Sequence, residues 1–400
     1  MNNEAGNLLL EGLQENQGKI EAKKVMNGRV NTMGKKKSLA GIIGVGAGGS
    51  NLAHLLTAEG YQTAALNTTV ADMTGIDVNI KLALTGLNGS GKDRQFASEE
   101  FKKSYKNFFT HEQILDLINS NNLIFVSATA GGGTGTILAI MVAGFIKDEY
   151  PTKTVVVVGL LGNLKEDKIS QQNMREFLSD MENKIPNCPY MLFDNNRVVD
   201  KIGDGVYDTV NHEAADAIRL LSKEFWIDNT RSNIDGRDYA RLMSYGGLMS
   251  VTSINNLDIS VSDSTILLEP KVVAAMQQST AIVTNNPEAY GIFMNVNSEV
   301  YNSIDTTFDA IQNIKGRPQS GLVFKQLQNT SGFGPQFAII AVGLAAPAER
   351  FKMIEKRIEE YSKVLDKTRL PSVNRAESVK LAGDPHGATS GNGSGFMNNF

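Results

Sequence analysis

Leu123-Ile-Phe-Val-Ser-Ala-Thr-Ala130 runs into Gly131-Gly132-Gly133-Thr134-Gly135-Thr136 and then into Ile137-Leu-Ala-Ile-Met-Val-Ala-Gly-Phe-Ile146. The first segment is a continuous apolar run of strand length, rich in β-branched and aromatic residues, and predicts a strand buried on both faces. The last segment places Ile137, Ile140, Met141 and Phe145 at helical spacing. Between them, a glycine loop exposes consecutive backbone N–H groups at a helix N-terminus, where no side chain blocks an approaching phosphate. The hydroxyls of Thr134 and Thr136 add donors. A plain turn also accepts glycine, but three in succession cost chain entropy that a turn avoids. The stretch therefore reads as strand, phosphate loop and helix.

A second unit of this kind lies upstream. Leu39-Ala-Gly-Ile-Ile-Gly44 is a short buried strand; Gly46, Ala47, Gly48, Gly49 and Asn51 follow, and a helix continues through Leu52, Leu55 and Leu56. Gly44, Gly46 and Gly49 satisfy the fingerprint GxGxxG, so a dinucleotide-dependent oxidoreductase has to be weighed. That reading needs Asp or Glu after the second strand to hold a ribose. The second strand, Thr63-Ala-Ala-Leu66, ends instead in Asn67-Thr68. A third glycine cluster, Gly86-Leu-Asn-Gly89-Ser90-Gly91-Lys92-Asp93, is a near miss to the P-loop pattern, with Asp93 where Ser or Thr would ligate magnesium.

Beyond a further buried strand from Thr154 come the polar loop Gly162–Ile169, with candidate residues Glu166, Asp167 and Gln171, and a strand, Tyr190-Met-Leu-Phe193, that leads into Asp194-Asn195-Asn196-Arg197. Residues 205–225 then read as one long amphipathic helix of roughly 30 Å, with Val206, Val210, Ala214, Ala217, Leu221 and Phe225 on one face. Tyr207 and Asn211 stand four residues apart on it and share a face, so a ring can stack on a base while an amide bonds the base edge. After the helix, Asn233-Ile-Asp235-Gly-Arg-Asp238 sets two carboxylates three residues apart at the start of another helix. Such carboxylates favour the positive end of the helix dipole, and helix capping alone accounts for many of them.

Composition bounds the remainder. Four hundred residues suffice for two domains plus appendages. A formal net charge of −4 and a pI near 5.7 exclude a polyanion binder overall. One cysteine, Cys188, excludes a disulfide framework and a cysteine zinc site, and His54, His111, His212 and His386 show no metal-ligand spacing; no metal-ligating side chains are assigned. No segment reaches the roughly 20 apolar residues of a membrane span, and Leu8-Leu9-Leu10 is too short for a signal peptide, so a cytoplasmic protein is expected.

The glycine-rich loop at 131–136 resembles the signature loop of the tubulin/FtsZ superfamily, and the other motifs arrive in that family's order over residues 39–345. The resemblance implies an α/β GTPase that polymerises head to tail, with GTP/GDP and Mg2+ as cofactors. It assigns phosphate contacts to Gly46, Ala47, Gly48, Gly49, Asn51, Asn67, Gly89, Ser90, Gly91 and Gly131–Thr136. Glu166 would face the sugar; Asn195, Tyr207 and Asn211 would face guanine. Asn233, Asp235 and Asp238 resemble the family's catalytic loop, which acts on the nucleotide of the adjoining subunit.

The implied organisation is a polar, basic N-terminal arm over 1–37, a parallel-sheet GTP-binding domain over 38–204, and a central helix over 205–228. A catalytic loop and smaller α+β C-terminal domain follow over 229–347, with strands at Ser264–Leu268, Ala289–Val296 and Gln336–Leu344 and a helix near Asp305–Ile314. Residues 348–370 read as a charged helix with a narrow seam of Phe351, Ile354, Ile358, Tyr361 and Leu365, available to a partner or packed on its own second domain. Residues 371–400 read as a disordered tail. Helix and tail together are similar to those of the plasmid- and phage-borne TubZ tubulins, which implies DNA segregation through a DNA-binding adaptor; FtsZ-like cell division is the alternative.

Overall fold

The run at 123–130 forms a strand because both of its faces find a core. In this computed structural model, β4 (Leu123–Thr129) turns Ile124, Val126 and Ala128 to one side of a sheet and Leu123 and Phe125 to the other. Its neighbour β5 (Thr154–Leu161) divides likewise, with Val155 and Val157 on one side and Val156 and Val158 on the other. Strands buried twice over read as unbroken apolar runs rather than alternating ones. The structure describes residues 40–84, 88–197, 205–223, 236–254, 288–296, 322–329 and 336–368.

Around β4 stand β1 (Gly41–Val45), β2 (Gln62–Asn67), β3 (Ile80–Ala83) and β6 (Pro189–Asp194), all parallel, in the order β3-β2-β1-β4-β5-β6. The order reverses between β1 and β4, so a crevice opens where their C-terminal ends diverge. Val45 is level with Ala128 across that pair. Both glycine loops predicted from the sequence therefore leave the sheet side by side. This is also the strand order of dinucleotide-binding folds, so the order by itself does not choose between nucleotide classes.

Helices cover both faces. On one lie α2 (Arg94–Thr110), α3 (Glu112–Ser120), α4 (Gly133–Glu149) and α5 (Lys168–Lys184); on the other lie α1 (Gly46–Thr57), α6 (Val206–Lys223) and α7 (Gly236–Met243). The sequence expected α4 to have one apolar face. Instead, Gly133 through Gly144 and Ile146 are all buried, because α4 is enclosed by the sheet, α2 and α5. A helix apolar all round belongs inside, and each large side chain so buried contributes about 1.5–3 kcal/mol.

The central helix observed is α6. Val210, Ala214, Ala217 and Leu221 pack inward as the periodicity expected. Its 18 residues span about 27 Å from the crevice side of the sheet to the opposite edge. There, Arg219 pairs with Glu59 at 2.6 Å and Ser222 meets the Tyr61 hydroxyl at 2.9 Å, just before β2 begins. β7 (Gly247–Ile254) adds to β6 through two residue pairs at its start, Pro189 with Gly247 and Tyr190 with Leu248. The sheet continues through β10 (Gln336–Leu344), β8 (Ala289–Val296) and β9 (Leu322–Asn329), with β10 antiparallel to both β7 and β8.

The C-terminal helix, α8 (Ala348–Thr368), docks where neither reading of its seam placed it. Ile354 is fully buried and Phe351 and Ile358 lie against the core of the first half, beside α5. Its polar side chains then seize the loop before α5. Arg350 Nη2 donates to the Gly162 carbonyl at 2.7 Å, Arg357 Nε to Leu164 at 3.0 Å and the Tyr361 hydroxyl to Glu166 at 2.8 Å. The arm at 1–37, the strand expected at 264–268, the helix near 305–314, the tail, Phe225, Asn233 and Asp235 lie outside the described residues.

Candidate functional site

Two helices begin at the crevice without a side-chain cap. Val45 precedes α1 and Gly132 precedes α4, and neither offers a side chain to the first-turn N–H groups. By contrast Asp93 caps α2 by accepting from Phe96 N at 2.9 Å, and Asp167 caps α5 by accepting from Ser170 N at 2.9 Å. Neither uncapped helix carries an acid in its first turn. Unsatisfied donors and the positive dipole ends of α1 and α4 thus face one space, which favours an anion there.

That space is a cleft of about 420 Å³, within the range of small-molecule sites. Gly46, Ala47, Gly48 and Gly131–Gly135 form its floor; Asn67, Thr68, Thr69 and Asp72 form one wall. Asn88–Lys92 closes a second side, and Glu166 and Ser170 a third. Hydroxyls tie the walls together. Thr134 Oγ1 lies 2.7 Å from Thr68 Oγ1 and 3.1 Å from Ser90 Oγ. Asn67 spends its amide holding its own turn, accepting from Thr68 N at 2.8 Å and donating to Asp72 at 3.4 Å.

Several expected residues stand elsewhere. Thr136 does not line the cleft, and its hydroxyl bonds back to the Gly132 carbonyl at 2.6 Å. Asn51 is exposed on α1, away from the lining. Asp167 is a cap and pairs with Lys92, and Gln171 Nε2 braces the loop by donating to the Asn163 carbonyl at 2.8 Å. Gly49 faces the sheet: a Cβ there would meet the Ser127 carbonyl carbon at 2.8 Å, and its carbonyl accepts from Ser127 Oγ at 3.0 Å. Gly49→Ala is accordingly expected to lower stability without nucleotide by about 1–3 kcal/mol, because both clashing partners are backbone. Chemical denaturation of the ligand-free protein measures this; unchanged stability would return Gly49 to a purely ligand-facing role.

At the outer rim, Tyr207 is 52% exposed. Partial burial, followed by the charge of Glu166, raises its hydroxyl pKa. Asn211 is half-buried one turn below. Asn195 is buried with Nδ2 donating to the Leu161 carbonyl at 2.9 Å, and its Oδ1 has no protein partner. Buried acceptors are normally satisfied, so this atom fits a donor brought by a ligand. None of these three is part of the lining itself. Lys92, Thr129 and Ser170 are lining residues that the sequence reading did not assign; the near-miss P-loop pattern was the available signal for Lys92.

Asp238 is half-buried in the first turn of α7 and is not among the residues that line the cleft. The neighbouring Tyr239 hydroxyl donates to the Leu221 carbonyl in the last turn of α6, 14 residues or about 21 Å along the helix from Tyr207. Gly247, just after α7, is level with the first residue of β6. The carboxylate thus sits beside the N-terminal edge of the sheet, opposite the cleft. Among the described residues, no group of three or more His, Cys, Asp or Glu side chains is placed to hold a metal, and no helix is long and apolar enough to cross a membrane.

The fold has parallels among solved structures. TubZ of Clostridium botulinum phage c-st, truncated at its C-terminal tail, superposes with a TM-score of 0.64 at 20% identity over 82% of this chain and 99% of that one. A GTPγS-form protofilament of Bacillus thuringiensis serovar israelensis TubZ gives 0.66 at 14% identity over 84% and 96%. The chain has the tubulin/FtsZ fold. The family resemblance read from the sequence and the fold it implied agree with this superposition. In sequence, cell division protein FtsZ 2 of Haloferax volcanii is 25% identical over 219 residues, 52% of each chain. The chain thus spans about half the length of such curated tubulin-like relatives in these alignments. No family model matches it.

Proposed function

We propose that this chain is a GTPase that assembles head to tail, each subunit completing the active site of its neighbour. The observation that carries this is the separation of parts: the uncapped, phosphate-ready cleft and the Asp238 carboxylate lie at opposite ends of one sheet. A single subunit cannot bring them together, whereas stacked subunits can. In this reading the N–H groups of Gly46–Gly48 and Gly131–Gly135 hold the phosphates, and the Thr134–Ser90–Thr68 hydroxyl chain fixes the loops around them. Glu166 faces the ribose; Tyr207 stacks on the base while Asn195 and Asn211 bond its edge. The adjoining subunit's Asn233, Asp235 and Asp238 orient and polarise the attacking water. Mg2+ arriving with the nucleotide offsets phosphate charge.

For the role of the polymer we favour DNA segregation over cell division, a reading supported by the likeness to TubZ structures. Because the seam of α8 is buried against α5, a DNA-binding adaptor would use the exposed side, where Met353 and Val364 project, or residues beyond 368. The oxidoreductase reading lacks support, since Asn67 and Thr68 end β2 where a ribose-holding acid would be required.

The test is equilibrium titration with fluorescent GTP, ATP and NAD, alongside light scattering. GTP should bind and raise scattering, and the others should do neither. Asn211→Asp should weaken GTP binding about tenfold or more, because the carboxylate keeps an acceptor and loses the donor. Equal affinity in wild type and variant would remove Asn211 from the site. Preferential binding of NAD without scattering would overturn the proposal.

A further inference from the structure

The loop at 162–166 is closed on itself. Glu166 N donates to the Asn163 carbonyl at 3.1 Å, Asn163 N to Glu166 Oε1 at 2.9 Å, and Lys165 N to Asn163 Oδ1 at 2.8 Å. These bonds settle the shape of the turn and occupy one oxygen of the Glu166 carboxylate. The other, Oε2, lies 2.7 Å from where a Cβ on Gly131 would stand, and the carboxyl carbon lies 2.8 Å from where one on Gly162 would. The carboxylate reaches the floor of the cleft only because both positions are glycine. A displacement of the turn by about 1 Å is enough to spoil a contact made from there.

What fixes the turn in place comes from α8. Arg350 holds the Gly162 carbonyl and Arg357 Nε the Leu164 carbonyl, while the Tyr361 hydroxyl lies 2.8 Å from the Glu166 carbonyl and 3.3 Å from that of Lys165. The three side chains stand at whole-turn steps along the helix and share one face. A hydroxyl has a single hydrogen to give, and Arg357 decides where it goes. Arg357 Nη2 donates to the Tyr361 oxygen at 3.2 Å and the guanidinium lies 4.4 Å over the ring, so the hydrogen is left aimed at the loop. Gln171 Nε2 also reaches the Glu166 carbonyl, at the longer distance of 3.3 Å.

We propose that Tyr361, with Arg357 behind it, is a positioning residue for the sugar of the nucleotide: it holds Glu166 Oε2 where a ribose hydroxyl can donate to it. The inference rests on the reading of Glu166 as the group that faces the ribose. Neither α8 residue lines the cleft, so both act through Glu166. A carboxylate held in one place favours a nucleotide that carries ribose hydroxyls over one that lacks them, because a charge-assisted hydrogen bond is lost with the hydroxyl. A helix that merely packed against α5 would support both nucleotides equally.

Affinities of the full chain for GTP and for dideoxy-GTP, which lacks both ribose hydroxyls, test this by displacement of fluorescent GTP below the assembly concentration. Wild type should prefer GTP about tenfold. Tyr361→Phe keeps the ring and its packing under Arg357. It should narrow that preference to about threefold or less by weakening GTP, with dideoxy-GTP changed less than about twofold. Arg357→Met should narrow the preference in the same direction. Glu166→Ala should narrow it as far, and adding Tyr361→Phe to that variant should move the ratio no further, because the two residues act in series. A ratio that keeps its wild-type value in Tyr361→Phe or Arg357→Met, even with both affinities lowered, would overturn the proposal. So would a double variant that narrows the ratio beyond Glu166→Ala. If Glu166→Ala itself leaves the preference intact, Glu166 does not face the ribose and the proposal falls with that reading. Binding of neither nucleotide by wild type would end the nucleotide reading of the cleft itself.

Discussion

Asp238→Ala is expected to bind GTP with wild-type affinity, to sediment as polymer, and to release phosphate about 10²–10³-fold more slowly. Binding survives because Asp238 is not among the residues that line the cleft and stands on α7, whose Tyr239 reaches Leu221 at the far end of α6. Hydrolysis fails because the attacking water in the neighbour's site loses the negative group that orients it. If Asp238 served only the dipole of α7, its removal would cost about 0.3–1 kcal/mol of stability and leave turnover unchanged. Phosphate release and sedimentation, followed together across a protein titration, separate the two. Wild-type turnover per molecule should rise above a threshold concentration, while the variant pellets without releasing phosphate. Turnover per molecule that ignores concentration in wild type would sink the shared site.

Arg350→Ala is expected to cost about 3–5 kcal/mol at pH 8 and to regain part of that loss on acidification. The guanidinium is buried, pairs with Asp194 at 2.9 Å and holds the Gly162 carbonyl. Burial pushes both partners toward neutrality, the Asp194 carboxyl upward and the Arg350 guanidinium downward, and each charge restrains the other's shift. A carboxyl whose pKa is raised on folding favours the folded state while protonated, and that advantage is lost as pH rises through the raised value. Without Arg350, the Asp194 pKa climbs further. The variant should therefore weaken progressively above the ordinary carboxylate range and recover below it. Adding Asp194→Asn should remove most of the pH dependence. Denaturation at pH 5 and pH 8 checks this, and an equal loss at both would show that Asp194 is not the group left stranded.

The two glycine loops were legible because their chemistry is local. Glycines after a buried strand expose donors wherever the chain places them, and both loops line one cleft. Local reading failed where a residue's task depends on a distant neighbour. Gly49 looks like its sister glycines, yet the Ser127 backbone decides its role. Thr136 looks like Thr134, yet two positions along the helix its hydroxyl turns back onto Gly132. Asp93 marked a departure from the P-loop pattern and Asp167 a candidate in the 162–169 loop; both cap helices, as short acidic side chains at helix starts commonly do. The seam of α8 declared an apolar face without saying what would cover it. Amphipathic spacing fixes which side is buried, and the covering surface is set by topology. Three helices, α2, α3 and α5, passed unassigned among polar residues although Met174, Phe177, Leu178 and Met181 recur at helical steps.

The grip of α8 on the 162–166 loop joins residues 188 to 196 positions apart. On the ribosome, where a chain emerges from its N-terminus, the glycine loops are made early, while the wall bearing Glu166 is braced by Gln171 alone until Tyr361 has cleared the exit tunnel. Closing a loop of that length carries an entropic cost of roughly 4–5 kcal/mol. Nascent chains would therefore hold a half-built cleft until α8 has been made. Competence to bind nucleotide, and with it entry into a polymer, would follow the docking of that helix.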